Sequence, residues 1–173
     1  MPNDAIYLLN EVVSILNSLK ISYFITDGTI LGLYRDKKLI PHDNDLDFAL
    51  IDNKKLFKLF FSFIRNGWIP MRILLKEFHI YQLIFHKNQV IVDFCNWKKD
   101  CDNIKFLCPE VNGFRQQDIK FYNPTFYCLN GNNYLTHSNL EEWLEIHYGS
   151  DWRSPKRYKG NWMMDTKDII NNK

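Results

Sequence analysis

Residues Phe24–Leu50 read FITDGTILGLYRDKKLIPHDNDLDFAL, and the acidic end of this stretch constrains the chain most. Asp43, Asp45 and Asp47 crowd the start of a run, Leu46-Asp47-Phe48-Ala49-Leu50, that otherwise reads as a strand. Side chains alternate faces along a strand, so Asp45 and Asp47 share one face while Leu46, Phe48 and Leu50 share the other. Two carboxylates side by side repel, and a cation removes that cost. Mg²⁺ favours carboxylate oxygens, waters and substrate phosphates. The run therefore reads as a metal-dependent phosphate site, with Mg²⁺ expected and Mn²⁺ as its substitute.

Upstream, Ile21 to Thr26 reads as a short strand that delivers Asp27-Gly28-Thr29 to the start of a helix. Gly28 would let backbone approach a ligand closely, and a helix N-terminus offers free N–H groups to phosphate. A plain strand-to-helix turn explains the same residues equally well. Downstream, Val90 to Cys95 forms the second half of a hairpin whose first half is Phe78 to Phe85. Asp93 lies there with Ile91 and Cys95 on one face. A lone carboxylate in an apolar strand is either a core ion pair or, beside a metal-binding pair, its third carboxylate.

The order Asp27-Gly28-Thr29-x-x-Gly32-x-x-Arg35, then Ile40-Pro41-His42-Asp43-x-Asp45-x-Asp47, resembles the signature of the LicD and fukutin-related proteins. A closing helix followed by Tyr148-Gly149-x-x-Trp152 is similar to that family's end segment. Asp27 departs from it, standing where many LicD proteins have a small residue. The resemblance implies an α/β nucleotidyltransferase fold, a mixed twisted sheet flanked by helices, with residues 1–173 as one domain. It also implies transfer of a phosphorylated alcohol, of the phosphocholine, ribitol phosphate or glycerol phosphate type, from a CDP-linked donor to a glycan hydroxyl. Asp45, Asp47 and Asp93 would be the catalytic and metal-binding residues; Gly28, Thr29 and Arg35 would hold donor phosphates. Arg35 takes the family's arginine position, and guanidinium binds phosphate bidentately. Two other functions stay open: nucleotidyl transfer with pyrophosphate release, and a silent binding subunit.

The remaining sequence narrows the setting. Hydrophobic residues make up 46% and aromatic residues 16%, which suits a packed core rather than disorder. A net charge of only +2 argues against a nucleic-acid binder. No run has the apolar length of a membrane span. Asp4 and Glu11 interrupt the first helix, so no signal peptide is expected, and the default compartment is the cytoplasm. Some fukutin-related proteins carry zinc. Here Cys95, Cys101, Cys108 and Cys128 lack the paired spacing of common zinc sites and are expected to be reduced. Ile6, Leu9, Val13 and Leu16 predict an amphipathic first helix. A helix near 54–66 is expected to bury Phe57, Phe60, Phe61 and Phe63, and another follows from about 139 to 147.

Overall fold

The computed structural model describes residues 4–109, 112–156 and 168–171. Helix α1 spans Ala5–Ser18 and buries Leu9, Val13 and Leu16 as the periodicity requires. Its stripe is rotated from the expected one, because Leu8 is buried whereas Ile6 is exposed. Strand β1 (Phe24–Ile25) is shorter than the expected strand and leads into α2 (Asp27–Arg35). Strand β2 (Asp45–Ile51), helix α3 (Leu56–Arg65) and the antiparallel strands β3 (Ile69–Lys76), β4 (His79–Lys87) and β5 (Val90–Asp100) follow. Then come β6 (Asn103–Cys108), β7 (Gly113–Asp118), the hairpin β8 (Thr125–Leu129) with β9 (Asn132–Thr136), helix α4 (Leu140–Tyr148) and strand β10 (Ile169–Asn171).

Among the described residues, eight strands form one mixed sheet around the long β5. The first half of β5 lies between β2, which is parallel to it, and β4, which is antiparallel. Its second half pairs with β6, and the sheet continues through β7 to β10. This mixed, helix-flanked sheet matches the expected fold class. The parallel β2–β5 contact matters most. It needs a crossover between the two strands, which α3 and the β3–β4 hairpin supply.

One sheet face is apolar. Leu46, Phe48, Val92 and Phe94 are fully buried there, and α3 covers them through Phe63, whose ring packs edge-on against Phe94. The expectation that all four α3 phenylalanines are core is corrected by the structure. Phe63 is buried and Phe60 packs on Phe85, but Phe57 and Phe61 point to solvent. The helix turns Leu56, Leu59 and Phe63 inward; Phe60 flanks that arc, whereas Phe57 and Phe61 lie outside it. The opposite sheet face carries the carboxylates.

Candidate functional site

Pairing of β2 with β5 places Asp47 directly beside Asp93, with Asp45 beside Ile91. Neighbouring residues in register share a sheet face, so the three carboxylates singled out in the sequence occur on one surface. Asp43 joins them from the turn before β2 and hydrogen-bonds the Asp45 carboxyl. Strand alternation could not place it, because it precedes the strand; its nearness to Asp45 in sequence was the available signal.

The first turn of α2 lies against this group. Asp47 N–H donates to the Thr29 hydroxyl oxygen at 2.8 Å, and Thr26 N–H donates to the Asp47 carbonyl at 3.1 Å. Thr29 thus fastens Asp47 to the helix. A Cβ on residue 28 would lie 2.4 Å from Asp43 Oδ2 and 3.6 Å from Asp47 Oδ2. Gly28 therefore lets the Asp43 carboxylate lie against the helix backbone, where a Cβ would push that side chain aside. Gly32 has a separate reason, since a Cβ there would meet the Lys38 carbonyl at 2.8 Å. Arg35 sits at the far end of α2, roughly 10 Å along the axis from Gly28. Its guanidinium grips the Asp36 carboxylate at 2.9 and 2.7 Å and reaches the Trp152 carbonyl at 3.4 Å.

Charge is poorly balanced at the carboxylates. Asp93 accepts from the Gln82 amide at 2.7 Å and from the Cys95 thiol at 3.7 Å, and no cation reaches it among the described residues. Among the described residues the core ion pair that its sequence allowed is not formed. Burial, helped by the charge of Asp45 and opposed by the Gln82 amide, pushes the Asp93 carboxyl up to about 7. Burial and the hydrogen bond to Asp45 raise Asp43 to about 8. Asp47 is raised well above the ordinary range by burial, then by Asp45, Asp27, Asp43 and Asp93. Burial and the Asp93 charge also keep the Cys95 thiol protonated. His42, next in sequence, is exposed.

A second, balanced cluster sits just behind α2. Asp27 receives Arg115 Nη2–H at 2.8 Å and lies 3.0 Å from His147 Nε2. The same Arg115 reaches Asp168 through Nε–H at 3.2 Å. Burial works against ionisation of Asp27, yet the Arg115 charge and the His147 hydrogen bond outweigh it and hold the carboxyl far below its usual range. His147 stacks on Trp143, which stacks on His137 at 4.1 Å. Burial drives His137 down to about 3, so this ring is neutral. No local pattern points to Arg115 or Asp168, which lie in a polar stretch and beyond the last helix.

Do these residues fit a divalent metal? Among the described residues no group of three or more His, Cys, Asp or Glu side chains is arranged to hold a metal ion by itself. Each carboxylate instead turns to a partner: Asp43 to Asp45, Asp47 to Thr29, Asp93 to Gln82. Mg²⁺ does not need a protein cage, since it keeps waters and takes one or two carboxylates plus substrate phosphates. Neighbouring carboxylates, of which Asp43, Asp47 and Asp93 have raised proton affinity, suit such a cation. The four cysteines do not converge. Cys95 and Cys108 lie on β5 and β6, Cys101 in the turn between them, and Cys128 on β8.

The mixed sheet, the glycine turn and the carboxylate face define a transferase of the nucleotidyltransferase fold. Residues 20–134 match the LicD/FKTN/FKRP nucleotidyltransferase domain, and the chain belongs to that family. The matched region covers β1 to β9, from before the glycine turn to past Asp93 and Arg115; α4 and the Tyr148-Gly149 segment lie beyond it. Among solved structures the fold resembles the lincosamide antibiotic adenylyltransferase LnuA bound to lincomycin, at 15% identity and a TM-score of 0.55, covering 79% of this chain and 82% of that one. It also resembles ANT(2'')-Ia in complex with adenylyl-2''-tobramycin, at 11% identity and a TM-score of 0.53, covering 79% and 70%. The solution structure of ANT(2'')-Ia, an antibiotic-resistance factor, covers 95% and 82% at 11% identity and a TM-score of 0.58. At such identities the likeness concerns fold alone. No curated protein matches the chain significantly.

Proposed function

We propose that this protein transfers a phosphorylated alcohol from a CDP-linked donor to a glycan hydroxyl, with Mg²⁺ or Mn²⁺ bound at Asp45, Asp47 and Asp93. One observation carries the reading: Asp47 and Asp93 face each other on parallel strands and the described residues bring no cation to them. Bound metal would neutralise that charge and stabilise the oxygens of the reacting phosphoryl group. The chain's own groups do the rest. The Thr29 hydroxyl fixes Asp47 through its backbone N–H. Gly28 lets the Asp43 carboxylate lie close against the first turn of α2, and the amino end of that helix, which favours negative charge, is assigned the donor phosphate. Arg35 is assigned the outer part of the donor, sharing its guanidinium with Asp36. Without metal, burial holds the Asp93 carboxyl up to about 7; bound metal would favour its ionised form.

The test is product analysis. Protein with Mg²⁺ is incubated with CDP-choline, CDP-ribitol or CDP-glycerol, with and without sugar acceptors, and CMP is quantified. CMP release that depends on metal and acceptor is expected. Pyrophosphate released from a nucleoside triphosphate, without CMP from any donor, would replace this reading by nucleotidyl transfer, the activity named for LnuA. Metal binding without either product would make the chain a binding subunit.

A further inference from the structure

The face of the molecule away from the carboxylates has a different character. Between Asp52 and Glu77 the chain contains no acidic residue and six basic ones: Lys54, Lys55, Lys58, Arg65, Arg72 and Lys76. The rest of the protein then holds 16 basic and 20 acidic residues, a net of −4. All six basic residues are exposed. This segment is α3 and β3, and it also exposes apolar side chains.

On α3, Phe57, Phe61 and Ile64 are 70, 57 and 43% exposed. They recur at the spacing of one helix stripe. On β3, Met71, Ile73 and Leu75 are each more than half exposed. Ile73 pairs with Leu83 of β4, on the sheet face where Phe85 meets Phe60 of α3. Helix stripe and strand therefore adjoin. Among the described residues strand β3 pairs only with β4 and is an edge of the sheet. The hairpin tip beyond it holds Glu77 and Phe78 at φ 50° and 62°, with Phe78 fully exposed. A bulky aromatic residue in the left-handed region is uncommon and costs free energy.

We propose that α3 and β3 form a docking surface for an anionic lipid bilayer. Exposed aromatics beside lysines and arginines are what an interfacial helix presents to a membrane: rings enter the headgroup layer and cations meet anionic lipids. Charge decides the occupant. A two-fold dimer through the same patch would set the six basic residues against their own copies, whereas an anionic bilayer complements them. Apolar area alone would serve either. Edge strand β3 borders both sheet faces, so a bilayer seated on α3 and β3 leaves the carboxylate face open beside the membrane. The docking does not depend on which group the enzyme transfers.

Vesicle sedimentation tests this without turnover. The full chain is mixed with vesicles of pure phosphatidylcholine or of equal parts phosphatidylcholine and phosphatidylglycerol. Sedimentation with the anionic vesicles alone is expected, with release as salt is raised. Phe57→Ser/Phe61→Ser and Lys54→Glu/Lys58→Glu should each weaken it by about tenfold or more, while melting temperature stays near that of wild type because all four side chains are exposed. Phe78→Ser, at the β3–β4 hairpin tip rather than on α3, serves as an independent variant and should also weaken binding. Equal partition into both vesicle types, or unchanged partition of all three variants, would overturn the proposal. So would a lipid-free dimer that Phe57→Ser/Phe61→Ser returns to monomer.

Discussion

Two groups of carboxylates meet at the first turn of α2 and are treated in opposite ways. Asp27 and Asp168 are largely buried against the Arg115 guanidinium, which contacts both, with the His147 ring beside them. Asp43, Asp45, Asp47 and Asp93 gather on the sheet with an amide, a thiol and a hydroxyl as partners. The first group is a structural device: it ties the start of α2 to β7 and α4. In the second, Asp43, Asp47 and Asp93 are costly to ionise in the absence of a cation, and that cost is the ground for the proposal that a cation binds there. A cluster of acidic residues is informative about function only when one asks what neutralises it.

The largest expected difference is in turnover. Asp45→Asn/Asp47→Asn should lower metal-dependent CMP release by about 10³-fold, while the metal-free protein melts at the same temperature as wild type or slightly higher, since like-charge repulsion is removed. A lower melting temperature in EDTA would move this pair into the balanced class. Arg115→Met should do the reverse. It leaves Asp27 and Asp168 without their main cation and should destabilise the fold by about 3–5 kcal/mol, measured by denaturant unfolding, with Asp27→Asn recovering part of the loss.

The sequence revealed the second group more readily than the first. Alternation along Leu46–Leu50 put Asp45 and Asp47 on one face, and the lone Asp93 stood out in an apolar strand; both signals are local. Arg115 sits in Gly113–Asp118, a polar run with nothing to distinguish its arginine from a surface one, and its partners are 88 residues upstream and 53 downstream. Long-range charge pairing leaves no local pattern. Strand β3 escaped notice for a related reason. Ile69-Pro70-Met71-Arg72-Ile73-Leu74-Leu75-Lys76 has no period of two, because an edge strand with two largely exposed faces is not patterned by a core. The first helix and the β4–β5 hairpin, each with one buried face, were legible.

A pH series sharpens the comparison further. In EDTA, folded Asp93 and Asp43 keep their protons to about 7 and about 8, whereas the unfolded chain loses them near the ordinary value of 3.8. The folded state binds more protons in that interval, so stability should fall as pH rises from about 4 to about 8. Saturating Mg²⁺ should flatten the fall. Asp27 contributes oppositely: its stabilisation is present above the unfolded value and is lost as pH drops below it. Unfolding free energies with and without Mg²⁺ across this range separate the two. Stability that rises between about 4 and 8 in EDTA would contradict the assignment.

The smallest effect is expected at Gly28. In Gly28→Ala the new methyl displaces the Asp43 carboxylate, a side chain that can swing aside. Mg²⁺ affinity in the presence of donor should fall about tenfold, while stability changes by no more than about 1 kcal/mol, since alanine is the better helix former. Calorimetry and denaturant unfolding on the same sample measure both quantities.

The link between Arg115 and Asp168 has a consequence for how the protein is made. Strand β7 carries Arg115, and its outer partner β10 lies 53 residues later, next to Asp168. On a ribosome that interval lasts roughly 3–10 s. Throughout it the outer edge of β7 is open, and Arg115 is shared only with residues already synthesised. An open strand edge is a template for pairing with another chain. The nascent protein therefore passes through a stage in which its proposed reaction centre, residues 27 to 93, is complete in sequence while its sheet is still adhesive. Crowded polysomes expressing it should be prone to mispairing during that stage.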